Sequence, residues 1–329
     1  MLDCIVLPRQ HRLIRLTTHP ALLYPSFMRR LCLVWLAGCV LAAAQAPPGD
    51  NAARLKQAQA DFAKGDLAHA RAGAEMLHAA NPGDVSAAIL LANCYIKMGR
   101  AAEAVDLLKP LEFPNSSNLD LEYSLSFAEI QSGRQSEGLP RLEKVATASR
   151  SATAWAAAGA ARLQRSEFAQ AKHDLDAALA LNPSLPGVST MAGQARNALG
   201  DSDSAVPFFE TALHSNPRDF TANLYLGIYR MKEGDYDTAR KLLELAVQLE
   251  PDSPLARLNL AKLNSLTGRT EEAVKELESL ERATPDWPEP HIRLAALYYK
   301  LHRAADGQRE RQIVEQIQAK QQQAGPPRN

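Results

Sequence analysis

The chain is 329 residues long, with 22% charged, 46% apolar and only 6% aromatic residues. That balance supports a buried core and excludes a disordered or collagen-like chain, while abundant alanine suits helices packed through small side chains. Lysine plus arginine and aspartate plus glutamate are both 37, but the first 44 residues hold a surplus of four positive charges and the remainder the matching four negative ones. A mildly acidic body offers no electrostatic footprint for nucleic acid or an anionic membrane surface. Four cysteines, three of which (Cys4, Cys32 and Cys39) fall in the first 40 residues, do not make a disulfide framework.

In chain order, the first feature is a leader. Arg29 and Arg30 precede fourteen uncharged residues, 31–44, too few for a permanent bilayer-crossing helix of about 20 residues but right for the apolar middle of an export signal. Residues 1–27 are too long and too rich in proline and histidine for the charged start of such a signal, so translation is expected to begin at Met28, leaving 1–27 as a mis-assigned upstream extension. Residues 28–44 then read as the signal and 45–50 as a linker. Cleavage after Ala42-Ala43-Ala44 gives a soluble periplasmic or secreted protein. Leu36-Ala37-Gly38-Cys39 also resembles the lipobox of bacterial lipoproteins, which would place a lipid on Cys39, and an uncleaved membrane anchor is a third outcome.

Beyond residue 50 the chain repeats itself. Gly65, Gly99, Gly133, Gly200, Gly234 and Gly268 recur at intervals of 34, with one interval of 67 in which Ser166 occupies the missing mark. Five residues behind runs a comb of small residues: Ala70, Ala104, Gly138, Ala171, Ala205, Ala239 and Ala273. Seventeen behind the glycines stand Pro82, Pro183, Pro217, Pro251 and Pro285, with Ser116 and Arg150 where the proline lapses. Each comb has a mechanical reason. The glycine ends one helix by entering the left-handed region without a Cβ clash. The small residue lets a second helix, such as the one carrying Tyr236, Ala239, Leu242, Leu243 and Ala246, approach the first. The proline ends that second helix and starts the next hairpin.

These features resemble the tetratricopeptide repeat family, whose pattern is W-x2-L-G-x2-Y, A-x3-F and P over 34 residues. Residues 220–253 carry Leu226-Gly227, the turn Gly234-Asp235-Tyr236, Ala239 with Leu243, and Pro251; the copy beginning at Ala152 supplies Trp155, Gly159, Ala171, Leu175 and Pro183. Eight copies are read, at 51–84, 85–118, 119–151, 152–185, 186–219, 220–253, 254–287 and 288–321, the last with a rewritten second helix that caps the array, followed by a disordered tail at 322–329. The resemblance implies an all-α solenoid, a right-handed superhelix whose first helices line a concave groove that binds proteins or peptides. Carried onto this chain, the family's groove positions are Gln59, Phe62, Asn93, Lys97, Tyr123, Phe127, Gln131, Gln194, Asn197, Ile228, Lys232, Lys262, Tyr299 and Lys300. Aromatic anchors beside amides suit a peptide backbone, and the lysines suit carboxylates. The clamp with which chaperone-tail binders of this family grip a C-terminal carboxylate is missing: Asn93 stands at its ninth position, but Ile89 and Ser124 occupy the others.

Two copies depart from the pattern. In the third, Gly138, Pro140 and Arg150 replace helix-favouring or helix-ending residues, which predicts a kink or soft joint around 134–145. In the last, Asp306 is expected to N-cap a helix with an apolar stripe of Ile313, Val314 and Ile317, and with Arg309, Glu310, Arg311, Glu315, Gln318 and Lys320 on a wet outer face; Trp287 is expected to pack at the last junction.

No catalytic constellation emerges. The histidines of the body (His69, His78, His173, His214, His291 and His302) show no metal-ligand spacing, no glycine-rich phosphate loop follows a strand, and Cys94 reads as a small packing residue. The expectation is a protein without metal or cofactor and without catalytic activity, a scaffold in the bacterial cell envelope. The alternative is an accessory subunit that presents a substrate protein to an enzyme or secretion complex encoded elsewhere. No nucleic-acid partner is expected, and membrane contact only through the signal anchor or a lipid on Cys39.

Overall fold

The computed structural model describes residues 51–115 and 117–323. The expectations for the leader, including Met28, the signal and Cys39, lie outside these residues. Within them the chain forms sixteen α-helices and no strand: α1 (Asn51–Ala63), α2 (Leu67–Ala80), α3 (Val85–Lys97), α4 (Ala101–Glu112), α5 (Leu119–Gln131), α6 (Gln135–Ser149), α7 (Ala152–Gln164), α8 (Phe168–Leu181), α9 (Val188–Ala198), α10 (Ser202–Ser215), α11 (Phe220–Glu233), α12 (Tyr236–Leu249), α13 (Pro254–Leu266), α14 (Thr270–Ala283), α15 (Pro288–Lys300) and α16 (Ala304–Gln323). A 3-10 turn, Phe113–Asn115, follows α4. Each helix packs on the one before and the one after, and odd-numbered helices also touch across successive hairpins, a contact that thins between α5 and α7. The described residues are therefore an all-α solenoid with a core that runs serially from hairpin to hairpin.

Local chemistry starts and stops these helices. Asp84, Asn118, Ser151, Asp219 and Ser253 present side-chain oxygens to backbone N–H groups of first helices, while Asp66, Asp201 and Asp235 do so for second helices. The glycine comb lies in the left-handed region, with φ of +77° to +88°, and Ser166 at +61° takes the same conformation in the gap. His302, 34 residues past Gly268, sits at +58° and continues the comb.

The small-residue comb is where paired helices meet. Ala70, Ala104, Ala171, Ala205, Ala239 and Ala273 are all fully buried. A second row of contacts explains the family's conserved-pattern glycine: a Cβ added at Gly159, Gly193 or Gly227 would stand 2.6, 2.7 or 2.8 Å from Leu175, Phe209 or Leu243 respectively. Those three buried side chains each contribute about 1.5–3 kcal/mol of apolar burial.

The irregular copies are more regular than their sequences suggest. No break interrupts α6, which runs through Pro140. Pro140 deprives only the carbonyl of Ser136, in an exposed first turn that water reaches, and Pro207 sits at the same depth of α10. Gly138 is required rather than degenerate, since its Cβ would lie 2.7 Å from the Ser126 carbonyl oxygen. Arg150 ends α6 in the left-handed conformation, φ +50°, and Ser151 N–H returns to the Ala146 carbonyl at 3.1 Å.

At the end of the array, α16 is an ordinary second helix, because Gly307 falls on the small-residue comb with its would-be Cβ 3.0 Å from the Tyr299 ring. Asp306 does not cap it. The helix begins at Ala304, and Asp306 accepts from Arg303 at 2.8 Å and pairs with Arg309 at 3.2 Å. Ile317 is buried and Ile313 and Val314 half-buried, but Glu310, expected on the wet face, is only 4% exposed. The helix also extends through residues 322 and 323, where the disordered tail was expected to begin; 324–329 lie outside the described residues. Trp287 packs on the last core cluster with Leu277, Leu294 and Tyr298.

Candidate functional site

The predicted groove residues all stand on odd-numbered helices: Gln59 and Phe62 on α1, Asn93 and Lys97 on α3, Tyr123, Phe127 and Gln131 on α5, Gln194 and Asn197 on α9, Ile228 and Lys232 on α11, Lys262 on α13, and Tyr299 and Lys300 on α15. They do not play one role. Phe62 and Ile228 are half-buried against core clusters, the first with Leu55, Leu91 and Tyr95 and the second with Leu224 and Leu263. Tyr123 and Phe127 stack with ring centroids 6.5 Å apart and planes within 10°, a rigid half-buried aromatic shelf on α5.

Toward the C-terminal half the odd-numbered helices bring several lysines and an arginine near one another. Asn197 accepts a hydrogen bond from the Tyr229 hydroxyl, which burial above all pushes up to about 12, and Lys232 Nζ stands 5.6 Å above the centre of the Tyr229 ring. Lys262 is half-buried and has no hydrogen-bond or ion-pair partner among the described residues. Burial foremost, then the positive charges of Arg293 and Lys232, hold its ammonium below the usual lysine range, with Glu289 opposing them in part. Arg293 donates to Glu289 at 2.8 and 2.9 Å, one turn earlier on α15. Lys262 of α13 thus feels a cation from α11 and another from α15, and neither it nor Lys232 has an ion-pair partner among the described residues.

Between α15 and α16, Ile292, Ala296, Tyr299 and Val314 line a mainly apolar cleft of about 460 Å³ that Arg311, Glu315 and Gln318 also border. Ile292 and Tyr299 are 43% and 41% exposed there. Sequence reasoning reached Tyr299 but passed over Ile292, although it is the fifth residue of its unit and so stands on a groove position of the family, and over Arg293, which follows it and stands on none. Cys94 is fully buried, and that burial pushes its thiol above the ordinary cysteine range. Among the described residues no helix is long and apolar enough to cross a membrane.

Comparison with known proteins bears on the fold. Two family models described as tetratricopeptide repeat match the chain, one at residues 61–115 and 230–298 and the other at 190–254. Among solved structures, pilF of Pseudomonas aeruginosa is 20% identical over 63% of this chain and 94% of its own, with a TM-score of 0.56. A tetratricopeptide repeat protein of Parabacteroides merdae ATCC 43184 is 16% identical over 71% of this chain and 93% of its own, with a TM-score of 0.51. The APC/C hetero-tetramer Cut9–Hcn1 is 14% identical, covering 80% of this chain and 52% of the compared one, with a TM-score of 0.52. At these identities the likeness is one of fold alone. No functionally curated protein matches by sequence. Repeated helix pairs in a 34-residue register, closed by left-handed turns and matched by these models, make the chain a member of the tetratricopeptide repeat family, whose fold is commonly a protein–protein interaction scaffold.

Proposed function

We propose that the protein is a non-enzymatic scaffold of the bacterial cell envelope, exported by its leader, that binds a peptide or protein segment along its odd-numbered helices. The observation that carries this reading is Lys262: a half-buried ammonium with no partner, placed near Lys232 and Arg293, is a standing cost that an incoming carboxylate relieves. The aromatic shelf of Tyr123 and Phe127 supplies a rigid apolar contact farther along the array. The reading rests on the family's mode of binding together with these charges.

Fluorescence anisotropy with a panel of labelled peptides, acidic and charge-neutral at matched hydropathy, tests it. Acidic peptides are expected to bind preferentially, and Lys262→Glu to weaken them about tenfold, the effect of losing one partly desolvated charge pair worth about 1.4 kcal/mol. Equal binding of both classes, or no effect of Lys262→Glu, refutes the carboxylate site. Export is tested separately by N-terminal sequencing of the protein from an envelope fraction: a start after Ala44 or at a lipid-bearing Cys39 supports it, and retention of the Arg29-Arg30 pair in a cytosolic pool refutes it.

A further inference from the structure

At the last junction, metal-ligating side chains from three helices converge. His291 of α15 is 2% exposed, and its Nδ1 lies 2.7 Å from Glu310 Oε2 of α16 and 4.0 Å from Glu281 Oε1 of α14. One ring nitrogen and one oxygen from each carboxylate all stand within 4.8 Å of one another. No local pattern announces them, because the intervals of 10 and 19 residues are bridged by the stacking of hairpins and not by one helix face.

Their charges do not balance. Glu310 is buried and Glu281 half-buried, and among the described residues neither forms an ion pair with a lysine or arginine. Glu278 of α14 adds to the negative field, and Arg282 of the same helix opposes it only in part. The Glu281 carboxyl is accordingly pushed up, by burial first and then by Glu310. A proton shared between His291 and Glu310 offsets one of the two carboxylates, whereas a divalent cation offsets both.

The chemistry of the three ligands selects the ion. Calcium and magnesium take oxygen ligands, whereas an imidazole beside carboxylates suits zinc and its transition-metal neighbours. Zinc bound at about 2.0–2.2 Å in tetrahedral geometry sets its ligand atoms about 3.3–3.6 Å apart. The separations of 2.7 and 4.0 Å lie about 0.5 Å outside that window on opposite sides, within reach of small side-chain rotations. The other ring nitrogen, Nε2, is 3.2 Å from the Pro285 carbonyl oxygen, the kind of backbone acceptor that orients a metal-bound imidazole. The Glu281 side chain is 28% exposed, which leaves that side open for entry of the ion and for water as a fourth ligand.

We infer that Glu281, His291 and Glu310 form a zinc-type metal site that clips α14, α15 and α16 together at the end of the array. The ion replaces the proton between His291 and Glu310, and that proton goes to solvent. Because its ligands come from three helices, it stabilises the stacked junction over any state in which α16 has come away.

The test uses the full chain, stripped with a chelator and titrated with zinc chloride in a calorimeter. Of the zinc bound per chain, one equivalent is expected to bind at least about a hundredfold more weakly in His291→Asn and in Glu281→Gln, the upper end of what loss of a supporting hydrogen bond costs a metal site. Glu281→Gln alters only a partly exposed side chain, so it reads the site even where His291→Asn disturbs the fold. At free zinc about 100 times the dissociation constant, amide protection along α16 is expected to rise at least about tenfold, of the roughly hundredfold that mass action allows, while that of α2 stays level. Calcium and magnesium chloride at the same concentrations are expected to move neither reading. A zinc stoichiometry and affinity that are the same in the parent and in both variants overturn the site. So does α16 protection that ignores zinc or rises equally with calcium.

Discussion

In α11 the buried side chains are Ala222, Leu224, Leu226, Tyr229 and Met231 with one amide, Asn223; in α5, at the matching place in the hairpin, they include Glu122, Ser124, Ser126 and Glu129. The sixth unit closes on an apolar contact, Leu243 against the bare backbone of Gly227. The third closes on Arg141, which reaches Glu112 at 2.7 Å, Glu122 at 2.6 Å and Glu129 at 3.1 Å, and so ties α4, α5 and α6 together. Burial alone pushes the Arg141 guanidinium down, but the three carboxylates outweigh it and hold it above its ordinary value. The ionic pattern continues one step on, where Arg162 of α7 pairs with Glu143 of α6 and with Asp174 of α8, whose burial raises its carboxyl against that pull. This is the stretch where the contact between α5 and α7 thins. One backbone register is thus held by two kinds of core, apolar in the sixth unit and largely ionic in the third.

The difference can be broken from either side. Removing Arg141 strands Glu122 and leaves Glu129 only the 3.3 Å contact with Lys109, and their side chains are 5% and 0% exposed, so Arg141→Ala is expected to destabilise by about 3–5 kcal/mol in urea unfolding. Replacing Arg141, Glu122 and Glu129 together by Met, Leu and Leu is expected to restore most of that loss, because no buried charge is then left unpaired: Glu112 is 30% exposed, and Lys109 keeps Glu137. If the triple variant is no more stable than Arg141→Ala, the network does more than satisfy its own members.

In the sixth unit the expected response is steric and smaller. Gly227→Ala forces a Cβ to within 2.8 Å of Leu243 Cγ and is expected to cost about 1–3 kcal/mol, with part recovered in the double variant Gly227→Ala, Leu243→Val. Additive losses in the double variant would show that the two residues do not press on each other.

The smallest effect concerns a cap. The side chain of Thr238 first, then its backbone N–H, holds the Asp235 carboxyl below the ordinary 3.8. A carboxyl lowered in the folded state stabilises fully above its unfolded value and loses that contribution as pH falls through the folded one. Asp235→Ala is therefore expected to lower the melting temperature slightly at pH 7, and the difference from the parent to shrink as pH drops below about 4. A gap that persists at pH 2 would contradict this assignment of the cap.

Much of the fold was legible because the repeat combs act through backbone rules that need no partner. Gly65 to Gly268 mark left-handed turns, and Ala70 to Ala273 mark helix crossings, wherever the chain goes. The irregular copies were harder to read. Pro140 looks like a break until an exposed first turn hands the orphaned carbonyl to water, and Gly138 looks like decay until the Ser126 carbonyl is found 2.7 Å from its absent Cβ. The groove candidates were legible as positions but not as roles, since only packing separates Phe62, sunk in a core cluster, from Lys262, left without a counter-ion.

What the sequence determined alone is the unit: its 34-residue period, its helix ends and its small-residue crossings, all set by short-range sterics and hydrogen bonding within one hairpin. What the tertiary structure decided is the company that charges keep. Arg141 with Glu112 and Glu122, and His291 with Glu281 and Glu310, are drawn from separate helices 10 to 29 residues apart. No local pattern announces such groupings, because the cost of a buried charge depends on neighbours that only the stacked array brings within reach.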